Sequence, residues 1–119
     1  MTTINSNNIN SNNINSNDIN SNDINNNPSI CIPRVYYYIQ KSFIQDIFQI
    51  QLKFGKIKKI DIINTNDKKY KKIFIHFDSW NSEDGIVNSI KQKLLLGHII
   101  KIVYDFPWFW KCSLYRPSL

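Results

Sequence analysis

The chain has 119 residues, of which 42% are hydrophobic and 13% aromatic, and its formal net charge is +6. This length suits one domain, and no apolar run reaches membrane-spanning length, because His98 and Lys101 interrupt the longest one. Beyond residue 28 lie all fifteen Lys and Arg but only seven acids, a balance of +8. Such a balance favours a polyanionic partner such as nucleic acid.

Residues 1–28 form a separate, asparagine-rich segment. Between residues 4 and 27 an isoleucine recurs every five positions, at Ile4, Ile9, Ile14, Ile19 and Ile24. A five-residue step turns each isoleucine by about 140° on a helix and sends successive ones to opposite faces of a strand, so neither structure gains a buried side. Because the composition is typical of low-complexity disorder, we predict a disordered tail over residues 1–28.

The first predicted strand and helix follow the tail. Ile30–Val35, with the sequence ICIPRV, predicts a strand with Ile30 and Ile32 directed inward and Cys31 directed outward. The three tyrosines that follow form a connecting aromatic run. A helix is predicted next, because apolar residues recur at helical spacing until Gly55 stops it: Phe43, Ile44, Ile47, Phe48 and Leu52.

Two further strands alternate apolar and polar residues. The second, Lys56–Asn64, places Ile60 and Ile62 on one face and Lys59 on the other. The third, Tyr70–Phe77, directs one set of side chains to the core and a basic-aromatic set outward: Ile73, Ile75 and Phe77 against Tyr70, Lys72, Phe74 and His76. A strand that is apolar behind and basic-aromatic in front suits a sheet that meets nucleic acid.

A second helix and a fourth strand complete the pattern. The helix is predicted from an apolar stripe that ends before Gly97, formed by Ile86, Val87, Ile90 and Leu94. Ile99–Tyr104 predicts the fourth strand, with Lys101 on the face opposite Ile100 and Ile102. The predicted order is therefore strand, helix, strand, strand, helix, strand. Two helices cover one face of a four-stranded sheet, so the other face stays free to bind a ligand.

In these elements, residues 29–105 resemble the RNA recognition motif family. The family's first-strand signature is similar to ICIPRV, and its third-strand signature is similar to Tyr70–Phe77, in which Phe74, Ile75 and Phe77 match. The resemblance implies an α+β fold, a ferredoxin-like βαββαβ two-layer sandwich with a four-stranded antiparallel sheet and both helices on one face. The combination of such a domain with a low-complexity tail also resembles proteins encoded by giant DNA viruses.

The family's base-stacking positions carry over to Cys31, Lys72 and Phe74, of which only Phe74 is aromatic. Since stacking contributes roughly 1–3 kcal/mol per base, the chain would be a degenerate member with weak binding and little sequence preference. The resemblance also implies stacking or a hydrogen bond from His76. We expect phosphate contacts from four cations of the domain: Lys59, Lys72, Lys101 and Arg34.

Residues 106–119 are predicted to be an aromatic C-terminal extension. Its two tryptophans, Trp108 and Trp110, alternate with Pro107 and Phe109. Two interpretations are open. Trp108 or Trp110 supplies the stacking surface that the strands lack, or these rings pack on the domain and cover an apolar area.

The predicted function is the binding of single-stranded RNA or single-stranded DNA, and the alternative is a protein–protein interaction module that does not bind nucleic acid. No nucleophile motif or glycine-rich phosphate loop indicates an enzyme, a cofactor or a small-molecule substrate. The cysteines and histidines, at positions 31, 76, 98 and 112, lack the paired spacing of metal ligands. We expect an intracellular protein with reduced thiols and no membrane partner, in the host cytoplasm or the virion if the chain is viral.

Overall fold

The computed structural model describes residues 2–5 and 27–117, so that residues 1 and 6–26 of the predicted tail lie outside the described residues. Six strands are present: β1 (Thr2–Asn5), β2 (Ile30–Tyr36), β3 (Gly55–Asn64), β4 (Tyr70–Trp80), β5 (Ile100–Asp105) and β6 (Trp108–Leu114). The helical parts are α1 (Lys41–Gln45), which continues as a π-helical turn over Asp46–Gln51, and α2 (Gly85–Leu95). No helix in the described ranges is long and apolar enough to cross a membrane.

The six strands form one mixed sheet in the order β1-β5-β6-β2-β4-β3. β1 runs parallel to β5, and the other neighbours are antiparallel. The predicted four-stranded, ferredoxin-like sandwich is therefore wrong, although the predicted succession of strands and helices does occur from β2 to β5. The difference lies beside β2. A ferredoxin-like sheet requires β5 in that position, whereas the structure has β6 there.

β6 enters the sheet because its side chains alternate in burial. Trp110 and Cys112 are 2% and 1% exposed, and Lys111 between them is exposed. The indole of Trp110 stacks on Phe48 of the π-helical turn, with 6.0 Å between the ring centroids. Since burial of an indole removes a large apolar area from water, the segment gains more as an internal strand than as an extension on the surface.

The core lies between the sheet and the helices. On the predicted inward faces of the strands Ile62 is half-buried and packs against the core. The other residues predicted there are buried, which confirms these faces: Ile30, Ile32, Ile60, Ile73, Ile75, Phe77, Ile100 and Ile102. Val87, Ile90 and Leu94 of α2 pack in the same cluster. One cation shares the core face of β4. Lys71 is 8% exposed, its Nζ donates to the carbonyl of Ile39, and burial lowers the pKa of its ammonium group.

Both described ends of the predicted tail contact the sheet. β1 lies along the edge of β5, where Ile4 pairs with Ile102 and packs against the core. At the other end of the tail, the indole N–H of Trp80 donates to the carbonyl of Pro28 at 2.8 Å. This hydrogen bond fixes the direction in which the chain enters β2.

The strand order predicts a specific cross-link. Ser113 of β6 lies directly opposite Cys31 of β2, whereas Lys101 of β5 is one strand further away. Opposed Cα atoms of neighbouring antiparallel strands are about 4.5–5.5 Å apart, which is within disulfide range. Cα atoms on strands that are separated by one intervening strand are about 9–10 Å apart, which is too far for a disulfide. Under mild oxidation, Ser113→Cys should therefore form an intramolecular disulfide with Cys31, measured by mass spectrometry as the loss of two alkylatable thiols.

Lys101→Cys is the matched control for this cross-link, because a ferredoxin-like sheet would place β5 beside β2. A disulfide in the Lys101→Cys variant, together with none in Ser113→Cys, would overturn the observed strand order.

Candidate nucleic-acid interface

The face of the sheet opposite the helices, here called the outer face, carries most of the predicted site residues. Alternation along the strands places six of them there: Cys31 on β2, Lys59 on β3, Lys72, Phe74 and His76 on β4, and Lys101 on β5. Cross-strand pairing sets Cys31 opposite Phe74 and Lys59 opposite His76. β6 separates Lys101 from this group, so five of the six residues are brought together.

Phe74, the predicted stacking ring, is covered by another ring of the chain. The centroid of Tyr115 lies 4.6 Å from that of Phe74, with 52° between the ring planes. The backbone N–H of Tyr115 donates to the carbonyl of Ser29 at 2.8 Å, which holds the residue above the outer face. Phe74 is therefore half-buried, and a base would have to displace Tyr115 in order to stack on it.

Both ring nitrogens of His76 have partners in the protein. Its Nε2 lies 2.9 Å from a carboxylate oxygen of Asp61, and its Nδ1 lies 2.8 Å from the hydroxyl of Ser29. The neutral tautomer that satisfies both contacts donates from Nε2 to Asp61 and accepts at Nδ1 from Ser29. Lys59 also faces Asp61, with 3.9 Å between Nζ and the carboxylate. His76 on β4 is thus linked to β3 and to the residue that precedes β2, and both of its ring nitrogens have partners within the protein.

Cys31, which the sequence analysis predicts at a base-stacking position, carries no ring and cannot stack on a base. It is half-buried between Phe74 and Ser113, its cross-strand neighbours. Burial raises the pKa of the Cys31 thiol, and the charge of Lys72 and a hydrogen bond with Ser113 act in the opposite direction. The side chain is therefore a packing element of the sheet, and Lys72 beside it is half-buried on the inner strand β4.

A groove opens next to this region, where β2 and β6 move apart. Their pairing is confined to Ile30–Leu114 and Cys31–Ser113. Beyond it, Pro33 has no N–H to donate, and the register of β2 against β4 shifts between Ile32 and Val35. The space between the strands is a cavity of about 350 Å³. Six rings line this aromatic groove: Tyr36, Tyr70, Tyr104, Trp108, Phe109 and Trp110.

The groove combines these rings with positive charge. Tyr36 and Tyr70 stack with 5.1 Å between their centroids, and a hydrogen bond between their hydroxyls raises the pKa of Tyr36. The guanidinium carbon of Arg34 lies 4.6 Å from the centroid of Tyr70, and Lys111 is a further lining residue. At the adjoining edge, the ammonium group of Lys101 lies 4.1 Å from the centroid of Phe109. The groove can therefore offer flat apolar surfaces and cations to one ligand.

The two tryptophans of the C-terminal segment differ in burial, and each has to be compared with the two interpretations separately. Trp110 packs in the core, as the structural interpretation predicts. Trp108 is 52% exposed and stands edge-on to Tyr36, with 6.1 Å between the centroids. Its indole is therefore accessible, and the functional interpretation stays a prediction for this residue.

The sequence analysis gives no binding role to six of the residues that line the groove: Pro33, Tyr36, Tyr70, Tyr104, Phe109 and Lys111. Alternation along β4 predicts the face on which Tyr70 lies. It does not predict that Tyr36 lies opposite Tyr70, because the register of β2 against β4 shifts between Ile32 and Val35.

No family model, curated protein or solved structure matches this chain. The resemblance to the RNA recognition motif family consequently stays a prediction. Within the described residues, no group of three or more His, Cys, Asp or Glu side chains is placed to hold a metal ion.

The contact between Phe74 and Tyr115 predicts energetic coupling. Aromatic pairs in such geometry contribute about 0.5–1.5 kcal/mol beyond their buried area. A double-mutant cycle of Phe74→Leu and Tyr115→Leu, measured by urea unfolding, should give a coupling energy in this range. Additive effects of the two substitutions would show that Tyr115 does not cover Phe74 in solution.

Proposed function

We propose that this protein binds single-stranded RNA or single-stranded DNA, with the aromatic groove as the main contact and with little sequence preference. The observation that carries the proposal is the half-exposed indole of Trp108 beside the stacked pair of Tyr36 and Tyr70, in a groove that also holds Arg34 and Lys111. Aromatic faces accept any base, and cations follow the phosphates, so this combination is typical of sequence-tolerant single-strand binding.

The cations of the outer face extend the path of positive charge away from the groove. Lys101 lies beside Phe109 at one end. At the other end, Lys72 follows Tyr70 on the same face of β4, roughly 7 Å further along the strand. A strand whose base stacks on Trp108 can therefore place neighbouring phosphates near these lysines. Lys59 contributes less in this proposal, because Asp61 lies beside it.

Membership of the RNA recognition motif family, as a degenerate member, remains part of this proposal, as does a non-enzymatic role. The family's stacking sites on the two central strands are here occupied by Cys31, by Lys72 and by the covered ring of Phe74. The groove between β2 and β6 would replace them. We also keep the intracellular location as a proposal, supported by the two free thiols, Cys31 and Cys112.

One observation favours the alternative function, a protein–protein interaction module. Tyr38 and Phe106 are 64% and 82% exposed and, with Trp108, add apolar surface beside the groove. Exposed aromatic patches are typical of protein interaction sites. Salt distinguishes the two functions, because nucleic-acid binding weakens steeply as salt rises, whereas an apolar contact does not.

Trp108→Leu should weaken the binding of a fluorescein-labelled ten-nucleotide oligouridylate roughly fivefold to 100-fold, because it removes one stacking surface. The dissociation constant is measured by fluorescence anisotropy, and the melting temperature is measured in parallel. Tyr37→Leu is the matched control, because Tyr37 is 65% exposed but lies outside the groove. Equal affinities of the wild type and Trp108→Leu would remove Trp108 from the interface.

The charge contribution is tested by salt dependence. If Arg34, Lys101 and Lys111 neutralise three phosphates, raising salt from about 50 to about 200 mM should weaken binding roughly twentyfold. Lys111→Ala should reduce the slope of log affinity against log salt by about 0.7. Lys58→Ala, on the edge strand β3, should leave the slope unchanged. Binding that is insensitive to salt would favour the protein-interaction alternative.

A further inference from the structure

One residue that lines the aromatic groove carries a buried hydrogen-bond donor without an acceptor. The indole nitrogen of Trp110 is buried, and it has no hydrogen-bond partner in the part of the chain that the structure describes. Trp80 shows the usual arrangement, because its indole N–H donates to the carbonyl of Pro28. A buried donor without a partner is rare and costs roughly 1–3 kcal/mol, and this one belongs to a residue that lines a cavity.

The ring of Trp110 is held in place by its neighbours. It stacks on Tyr104 with 4.2 Å between centroids and on Phe48 with 6.0 Å. Phe43 contacts it edge-on at 6.2 Å. Because these three rings pack around the indole, they hold its plane, and the N–H group cannot turn to find an acceptor inside the core. The donor is therefore fixed in position and has no acceptor within the described chain.

The groove defines the chemistry of that acceptor. Its volume of about 350 Å³ is within the range of pockets that hold small organic ligands. Its tyrosine and tryptophan walls favour a flat ring, and Arg34 and Lys111 at its rim favour a negative charge nearby. A nucleotide unit combines a flat ring, acceptor atoms on the ring edge and a phosphate.

We propose that the aromatic groove holds one nucleotide of the bound strand with its base inserted, and that the indole N–H of Trp110 donates a hydrogen bond to a carbonyl oxygen of that base. This inference rests on the proposed single-strand binding and adds a base-specific contact to it. Trp108 and the Tyr36–Tyr70 pair contact the base faces, and Arg34 and Lys111 contact the phosphates on either side.

The decisive variant removes the donor without changing the shape of the ring. Site-specific replacement of Trp110 by 3-benzothienylalanine puts sulfur in the position of the N–H group. The probes are the ten-nucleotide oligouridylate and the same sugar-phosphate chain without bases. The replacement should weaken oligouridylate binding roughly fivefold to tenfold, which corresponds to one hydrogen bond, and should leave binding of the base-free chain unchanged. The melting temperature should not fall, because the lost donor has no partner in the free protein.

The outcomes separate this inference from the proposed function. If the replacement binds oligouridylate as tightly as the wild type does, the contact from Trp110 is wrong and single-strand binding stands. If the wild type binds the oligouridylate and the base-free chain equally, no base is inserted and the inference also falls. If the wild type binds neither probe but binds a labelled proline-rich peptide, and the replacement weakens that binding, the groove is a protein site and both proposals are overturned.

Discussion

The burial of Trp110 determines where β6 lies, and the architecture of the sheet follows from that position. The indole is enclosed by Phe48 from the helical layer and Tyr104 from β5. Burying 150–250 Å² of aromatic surface contributes about 4–6 kcal/mol, a large part of the net stability of a small domain. The hairpin of β5 and β6 must therefore turn β6 inward, beside β2. β5 lies one position further from β2 and runs in the same direction as β2, and the other edge of β5 is paired by β1.

The same insertion leaves β2 and β6 incompletely paired. Two residue pairs join the strands, and the bulge that follows Ile32 turns β2 away. The resulting gap is the aromatic groove, and Trp110 is one of the residues that line it. Fold and site thus have one origin, because the residue that fixes the strand order also lines the groove.

Alternation along the chain predicts the faces of the strands correctly, because the side-chain direction of a strand is a local property. The neighbours of a strand are not local, so the pattern could not show that β6 would displace β5. In the site, alternation placed Lys72, Phe74 and His76 on one face. It could not show that Tyr115 covers Phe74, nor that Ser29, 47 residues from His76, binds its Nδ1. Such contacts depend on the strand order, which follows from the packing of the whole core.

The outer face is consequently divided into two parts with different chemistry. Around His76 the polar groups are mutually satisfied, since Ser29 and Asp61 occupy both ring nitrogens and Tyr115 lies against the imidazole edge-on. A ligand that bound there would have to replace contacts that already exist. In the groove, by contrast, some groups lack partners, because Trp108 is half-exposed and the donor of Trp110 has no acceptor within the described chain. A ligand gains free energy where it completes contacts rather than replaces them, and this difference favours the groove over the centre of the sheet as the place where the proposed strand would contact the protein.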